Sequence, residues 1–133
     1  MDRARLYLLV VGGVFLVVIG IPLFVDPYWW AERFGWDTAV HTDLTTYLGR
    51  CLGAVAIAIS ATALWASRAP AEHRTLFDVT AVAGVLLAVV HLRGLLDDAQ
   101  PGIEDLEALL YAGFAALAWW CKPAAPVRRI SPR

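Results

Sequence analysis

Five side chains able to bind a ligand or exchange a proton interrupt long apolar stretches: Tyr47, Arg50, His91, Glu107 and Tyr111. An arginine offers a permanent charge and a fork of donors suited to an anion or an oxygen-rich headgroup. A histidine changes protonation near neutral pH, and a carboxylate and two phenols can share protons with either. Together they would form a pocket for an anion, a quinone-like molecule or a lipid headgroup, anchored by Arg50 and titrated by His91. The same residues admit a structural reading. In it Arg50 pairs with Glu107 to set helix register, while Arg93 and the tyrosines reach for a membrane surface.

These residues need elements to position them, and the composition says which kind. Of 133 residues, 59% are hydrophobic and 17% charged, against about 45–50% and 25% in soluble domains. Leu6–Val25 runs twenty residues without a charge, the length of helix that spans a hydrocarbon core about 30 Å thick. Arg3 and Arg5 precede it as they would a signal peptide. The run is longer than a signal core and ends in Pro-Leu-Phe-Val-Asp-Pro rather than a small-x-small site, so it is expected to remain as a span. The net charge of −1 gives no footing for nucleic acid.

Hydropathy predicts an all-α membrane domain over residues 1–122, with four transmembrane helices in an up-down bundle near 6–25, 44–65, 76–96 and 104–121. Asp26-Pro27 blocks the first helix. The aromatic-rich stretch after it predicts a short interfacial helix near 27–35, closed by Gly35. Pro70 and Pro101-Gly102 mark the later turns, and 123–133 is a basic tail expected to lack fixed structure. None of the spans is conspicuously broken at mid-membrane, which speaks against a transporter.

Basic residues set the orientation. Eight of the eleven, Arg3, Arg5, Arg68, Arg74, Lys122, Arg128, Arg129 and Arg133, fall on one side of this topology, and the opposite loops are acidic. The positive-inside rule makes both termini cytoplasmic. Trp29, Trp30 and Trp36 would then belt the outer interface and Trp65, Trp119 and Trp120 the inner one. Asp78 is expected to pair locally with Arg74, four residues earlier. Arg50, His91, Glu107, Tyr47 and Tyr111 come to one level in the outer half, about 7–10 Å deep at 1.5 Å per residue.

The second span carries small residues: Gly49-x-x-x-Gly53, then Ala54, Ala58, Thr62 and Ala66. Such a face lets a neighbouring backbone approach closely, whether from the same chain, another copy or another subunit. Cys51 and Cys121 fall toward opposite faces, too far apart for a disulfide. His41 and His73 have no ligand-spaced companion, and HxxxH, CxxC, GxSxG, Walker A and dinucleotide fingerprints are absent. No metal site or catalytic residue is therefore predicted.

Phe24-Val25-Asp26-Pro27, Trp29-x-Ala31-x-x-Phe34-Gly35-Trp36 and Tyr47-Leu48-Gly49-Arg50-Cys51-Leu52-Gly53-Ala54 resemble a group of small four-span bacterial membrane proteins of unknown function, similar to DoxX-like proteins. The resemblance covers the first half residue by residue and the second by topology alone. It implies a four-helix bundle in the bacterial plasma membrane, singles out Arg50 and implies no activity. Two functions remain open, the first favoured. It is a non-catalytic accessory or structural subunit packing against partner helices in a larger membrane complex, or against further copies. The other is a binding protein with no cofactor beyond a bound lipid or quinone in the pocket around Arg50.

Overall fold

The computed structural model describes residues 2–124, and their regular structure is helical throughout. The tail from 125 onward, with Arg128, Arg129 and Arg133, lies outside the described residues. Helix α1 spans Arg3–Val25 and is capped by the Asp2 carboxylate, which accepts from the Ala4 N–H. Asp26 ends it and caps the short α2, Pro27–Arg33, with Gly35 at φ +81° in the left-handed position that follows. Helix α3, Asp43–Ala66, opens on a capping box between Thr42 and Thr45. Helix α4 covers Arg74–Leu96. After a 3₁₀ turn at Glu104–Leu106, α5 covers Glu107–Cys121.

Helices α1, α3 and α4 are long and apolar enough to cross a membrane, the make-up of a multi-pass membrane protein. Helix α5 has 15 residues and is shorter than the predicted fourth span. The expected unbroken α1 is in fact distorted. Phe15–Gly20 winds as a π-helical turn just before Pro22. In an α-helix the Val18 carbonyl would wait for the N–H of residue 22, which proline lacks. The Trp30 indole N–H donates to that carbonyl at 2.8 Å instead, folding α2 back against α1.

The helices form two antiparallel hairpins, α1 with α3 and α4 with α5, joined where α1 meets α5. Glycines make the close approaches. A Cβ on Gly53 would collide with the Phe24 backbone, one on Gly49 would lie 2.6 Å from Pro27, and one on Gly84 would lie 2.9 Å from the Tyr111 carbonyl. The small-residue ladder of α3 therefore splits. Gly49 and Gly53 pack within the chain, whereas Ala54 and Ala58 are exposed. The reason is helical phase: Ala58 is nine residues from Gly49, about 180° around the helix at 100° per residue.

The core lies at the end that holds Arg3, Ala66, Arg74 and Cys121. Tyr7, Leu8, Ala63, Ala66, Phe77 and Ala118 are buried together, with Tyr7 stacked on Phe77 at 5.6 Å. The Tyr7 hydroxyl lies 3.1 Å from Thr80 Oγ1 and 3.3 Å from the Phe114 carbonyl oxygen, tying α1, α4 and α5 together. Here Asp78 takes Lys122 as its partner, at 2.6 and 2.7 Å, rather than Arg74. The Arg74 guanidinium donates to the Pro123 carbonyl at 2.8 Å. Cys51 and Cys121 are both free thiols, the first exposed and the second buried.

Candidate functional site

Helices α3 and α4 scarcely touch along their length, because the loop between them joins them only at the core end. The space they leave is a cavity of about 620 Å³, bounded by α1, α3, α4 and α5. Its walls are apolar, with Phe15, Leu52, Val55, Ile59, Leu87 and Val90 among the side chains that line it. Leu52, Val55, Leu86 and Val90 line it and are also more than half exposed, so the cavity opens sideways between α3 and α4. Ser60 lines it as well, its buried hydroxyl without a partner among the described residues.

One end of the cavity is polar. His91, near the end of α4, lies with Nε2 3.1 Å from Glu104 Oε2 and 3.2 Å from Glu107 Oε2. The three side chains are 13, 4 and 15% exposed. The opposite ring nitrogen, Nδ1, sits 2.8 Å from the Leu87 carbonyl. A carbonyl oxygen only accepts, so Nδ1 carries a proton and Nε2 is the nitrogen left to face the carboxylates. The Trp36 indole N–H donates to Glu104 Oε1 at 2.9 Å, which turns Oε2 toward the histidine. The Tyr111 ring packs 4.9 Å from the His91 ring and also meets Phe15 at 5.9 Å. Gln100 donates to Asp105 at 3.0 Å and lines the same end.

Of the five residues expected at one level, His91, Glu107 and Tyr111 meet here, and Arg50 and Tyr47 do not. Both are exposed, and the ion pairs among the described residues do not include Arg50. The expected Arg50–Glu107 pair is thus not formed, and Arg50 is not among the residues that line this cavity. Depth along a helix does not determine azimuth. Arg50 stands two residues before Leu52, about 200° around α3 from the cavity wall, and Tyr47 five residues before it, about 140° away on the other side.

Glu104 is the residue that sequence reasoning passed over as one more loop carboxylate. Its signal was the spacing Glu104-x-x-Glu107-x-x-x-Tyr111, which places all three on one helical face if the turn before α5 is itself helical. The expectation of no metal-ligand group also changes: His91, Glu104 and Glu107 bring three donor atoms within 4.8 Å of one another. Linear motifs missed it because the donors come from two helices separated by a turn.

The expected tryptophan belts divide as well. Trp29, Trp65, Trp119 and Trp120 are exposed at the helix ends, whereas Trp30 and Trp36 spend their indole N–H groups inside the chain and line the cavity.

No family model matches the chain, and neither a characterised protein nor a solved structure shows significant similarity to it.

Proposed function

We propose that the protein binds a small lipid-soluble molecule with an apolar body and a polar head, such as a quinone, from within a bacterial inner membrane. The observation that carries this is the cavity: about 620 Å³, inside the range of roughly 300–1,000 Å³ common for ligand sites. Its walls are apolar and its hydrogen-bonding groups converge at one end, the pattern that orients an amphiphile. A sideways opening suits a ligand dissolved in lipid. The unpartnered Ser60 hydroxyl supports a ligand oxygen deeper in, since a buried polar group left unpaired costs about 1–3 kcal/mol.

In this reading α5 is a fourth span, lengthened by the turn before it to 18 residues or roughly 27 Å, and both termini are cytoplasmic. The polar head would meet His91, Glu104, Glu107 and Tyr111 rather than the Arg50 and Tyr47 expected from sequence. A non-catalytic accessory subunit takes second place, because Gly49 and Gly53 of the small-residue ladder are occupied by α1 and α2, although Ala54 and Ala58 stay exposed.

The test uses the full chain, stripped with a chelator, in lipid nanodiscs. A short-tailed ubiquinone analogue should quench Trp30 and Trp36 fluorescence saturably. Ala83→Phe and Ala56→Phe, which thicken two walls, should weaken saturation by about tenfold or more, or roughly 1.4 kcal/mol. Linear quenching, identical in both variants, would mean partitioning into lipid and defeat the proposal.

A further inference from the structure

The His91 cluster contains one positive group too few. Nδ1 is committed to the Leu87 carbonyl, so Nε2 confronts Glu104 Oε2 at 3.1 Å and Glu107 Oε2 at 3.2 Å. A bare nitrogen lone pair that close to two carboxylate oxygens is repulsive, so either a proton or a metal ion must lie among the three atoms. A proton on Nε2 is one candidate. With both carboxylates ionised, it leaves one negative charge in a largely buried site, and no lysine or arginine pairs with either glutamate among the described residues. A divalent ion bound to a neutral imidazole and two carboxylates brings the same cluster to zero net charge, which a low-dielectric surrounding favours.

The distances suit such an ion. Nitrogen and oxygen ligands lie about 2.0–2.2 Å from zinc, and a tetrahedral angle then separates donor atoms by roughly 3.3–3.6 Å, close to the two separations seen. The surroundings suit it as well. A metal-bound histidine usually donates its other N–H to a carbonyl, and its carboxylate co-ligands are themselves hydrogen-bonded. Leu87 and Trp36 do both here.

We infer that His91 Nε2, Glu104 and Glu107 form a binding site for one divalent transition-metal ion, with its remaining coordination positions turned toward the cavity. One nitrogen and two carboxylates suit zinc, manganese, iron(II) or cobalt(II) better than a thiolate-seeking ion. The inference goes beyond quinone binding and does not depend on it.

Cobalt(II) is the probe, because its visible absorption reports nitrogen and oxygen ligation directly. Chelator-stripped full chain in nanodiscs without quinone should bind one equivalent per chain, displaceable by zinc. Zinc content after desalting, measured by mass spectrometry, should match. Glu104→Gln, Glu107→Gln and His91→Gln should each weaken binding by at least about tenfold. Trp36→Phe, which touches no donor atom, should weaken it by about 10–100-fold, as loss of a supporting hydrogen bond does. His41→Gln with His73→Gln should change nothing. Should His91→Gln fail to fold, Trp36→Phe and Glu107→Gln still decide. Lack of saturable cobalt binding, or binding undiminished in the glutamate variants, overturns the site and leaves a proton as the shared cation. Because quenching is measured without metal and cobalt without quinone, either proposal can fail alone.

Discussion

The two ends of the bundle are built from the same four helices and have opposite interiors. At the end holding Arg3, Arg74 and Cys121, alanines 4, 63, 66 and 118 let the helices close around Phe77 and Leu8. Toward the other end, Leu52, Val55, Ile59, Leu87 and Val90 take the corresponding places on α3 and α4 and line open space. In lipid, apolar burial gives little drive for helix association, so contact depends on close packing and interhelical hydrogen bonds. At one end alanines supply the packing and Tyr7 the hydrogen bonds that join the two hairpins, whereas the close contacts of Gly49 and Gly53 at the other stay within α1, α2 and α3. The other end instead gathers its polar groups, His91, Glu104, Glu107 and Trp36, around the head of a cavity. One end joins the two hairpins, and the other leaves the space that the proposed ligand would fill.

The most severe way to test that contrast is to hollow out the packed end. Phe77 is fully buried, and Phe77→Ala should cost about 3–5 kcal/mol, read as a lowered unfolding midpoint in mild detergent. Leu87→Ala, on the cavity wall, should cost far less, because its side chain already faces space; equal losses would erase the distinction between the ends. A smaller effect is expected between two glycines. Gly84→Ala drives a methyl to within 2.9 Å of the Tyr111 carbonyl and should destabilise by about 1–3 kcal/mol. Gly113→Ala meets nothing within 4 Å and should stabilise by up to about 1 kcal/mol through helix propensity. The smallest effect belongs to Arg50→Leu. Its side chain is exposed and outside both regions, so stability should shift by no more than about 0.5 kcal/mol and cobalt and quinone binding should hold. A variant that folds but no longer binds would return the pocket to Arg50.

Asp26-Pro27 stops α1 by local chemistry, a fixed proline φ and a missing N–H, and the helix ends beside it; α4 already ends at Leu96, ahead of the Pro101-Gly102 turn. Gly35 likewise closes α2 at positive φ. The level of His91, Glu107 and Tyr111 followed from counting along helices, since rise per residue is constant. The face was not legible for Arg50, Tyr47, Ala54 or Ala58, because every face of α3 is apolar enough for lipid. An amphipathic stripe in a water-soluble helix would have disclosed it. The partners of Asp78 and Glu104 were likewise hidden, being 44 residues away in Lys122 and 13 away in His91.

By itself, then, the sequence determined the solvent, the helices and the sign of charge at each end. Each of those follows from local composition: apolar length, proline and glycine punctuation, and the segregation of arginine from aspartate. Only the tertiary structure decided which sides of the helices meet. Helix rotation in a lipid-like chain is set by glycine contacts between segments far apart, Gly53 against Phe24 and Gly84 against Tyr111. Those contacts turn Arg50 outward and bring His91 between two glutamates, and no run of neighbouring residues contains that information.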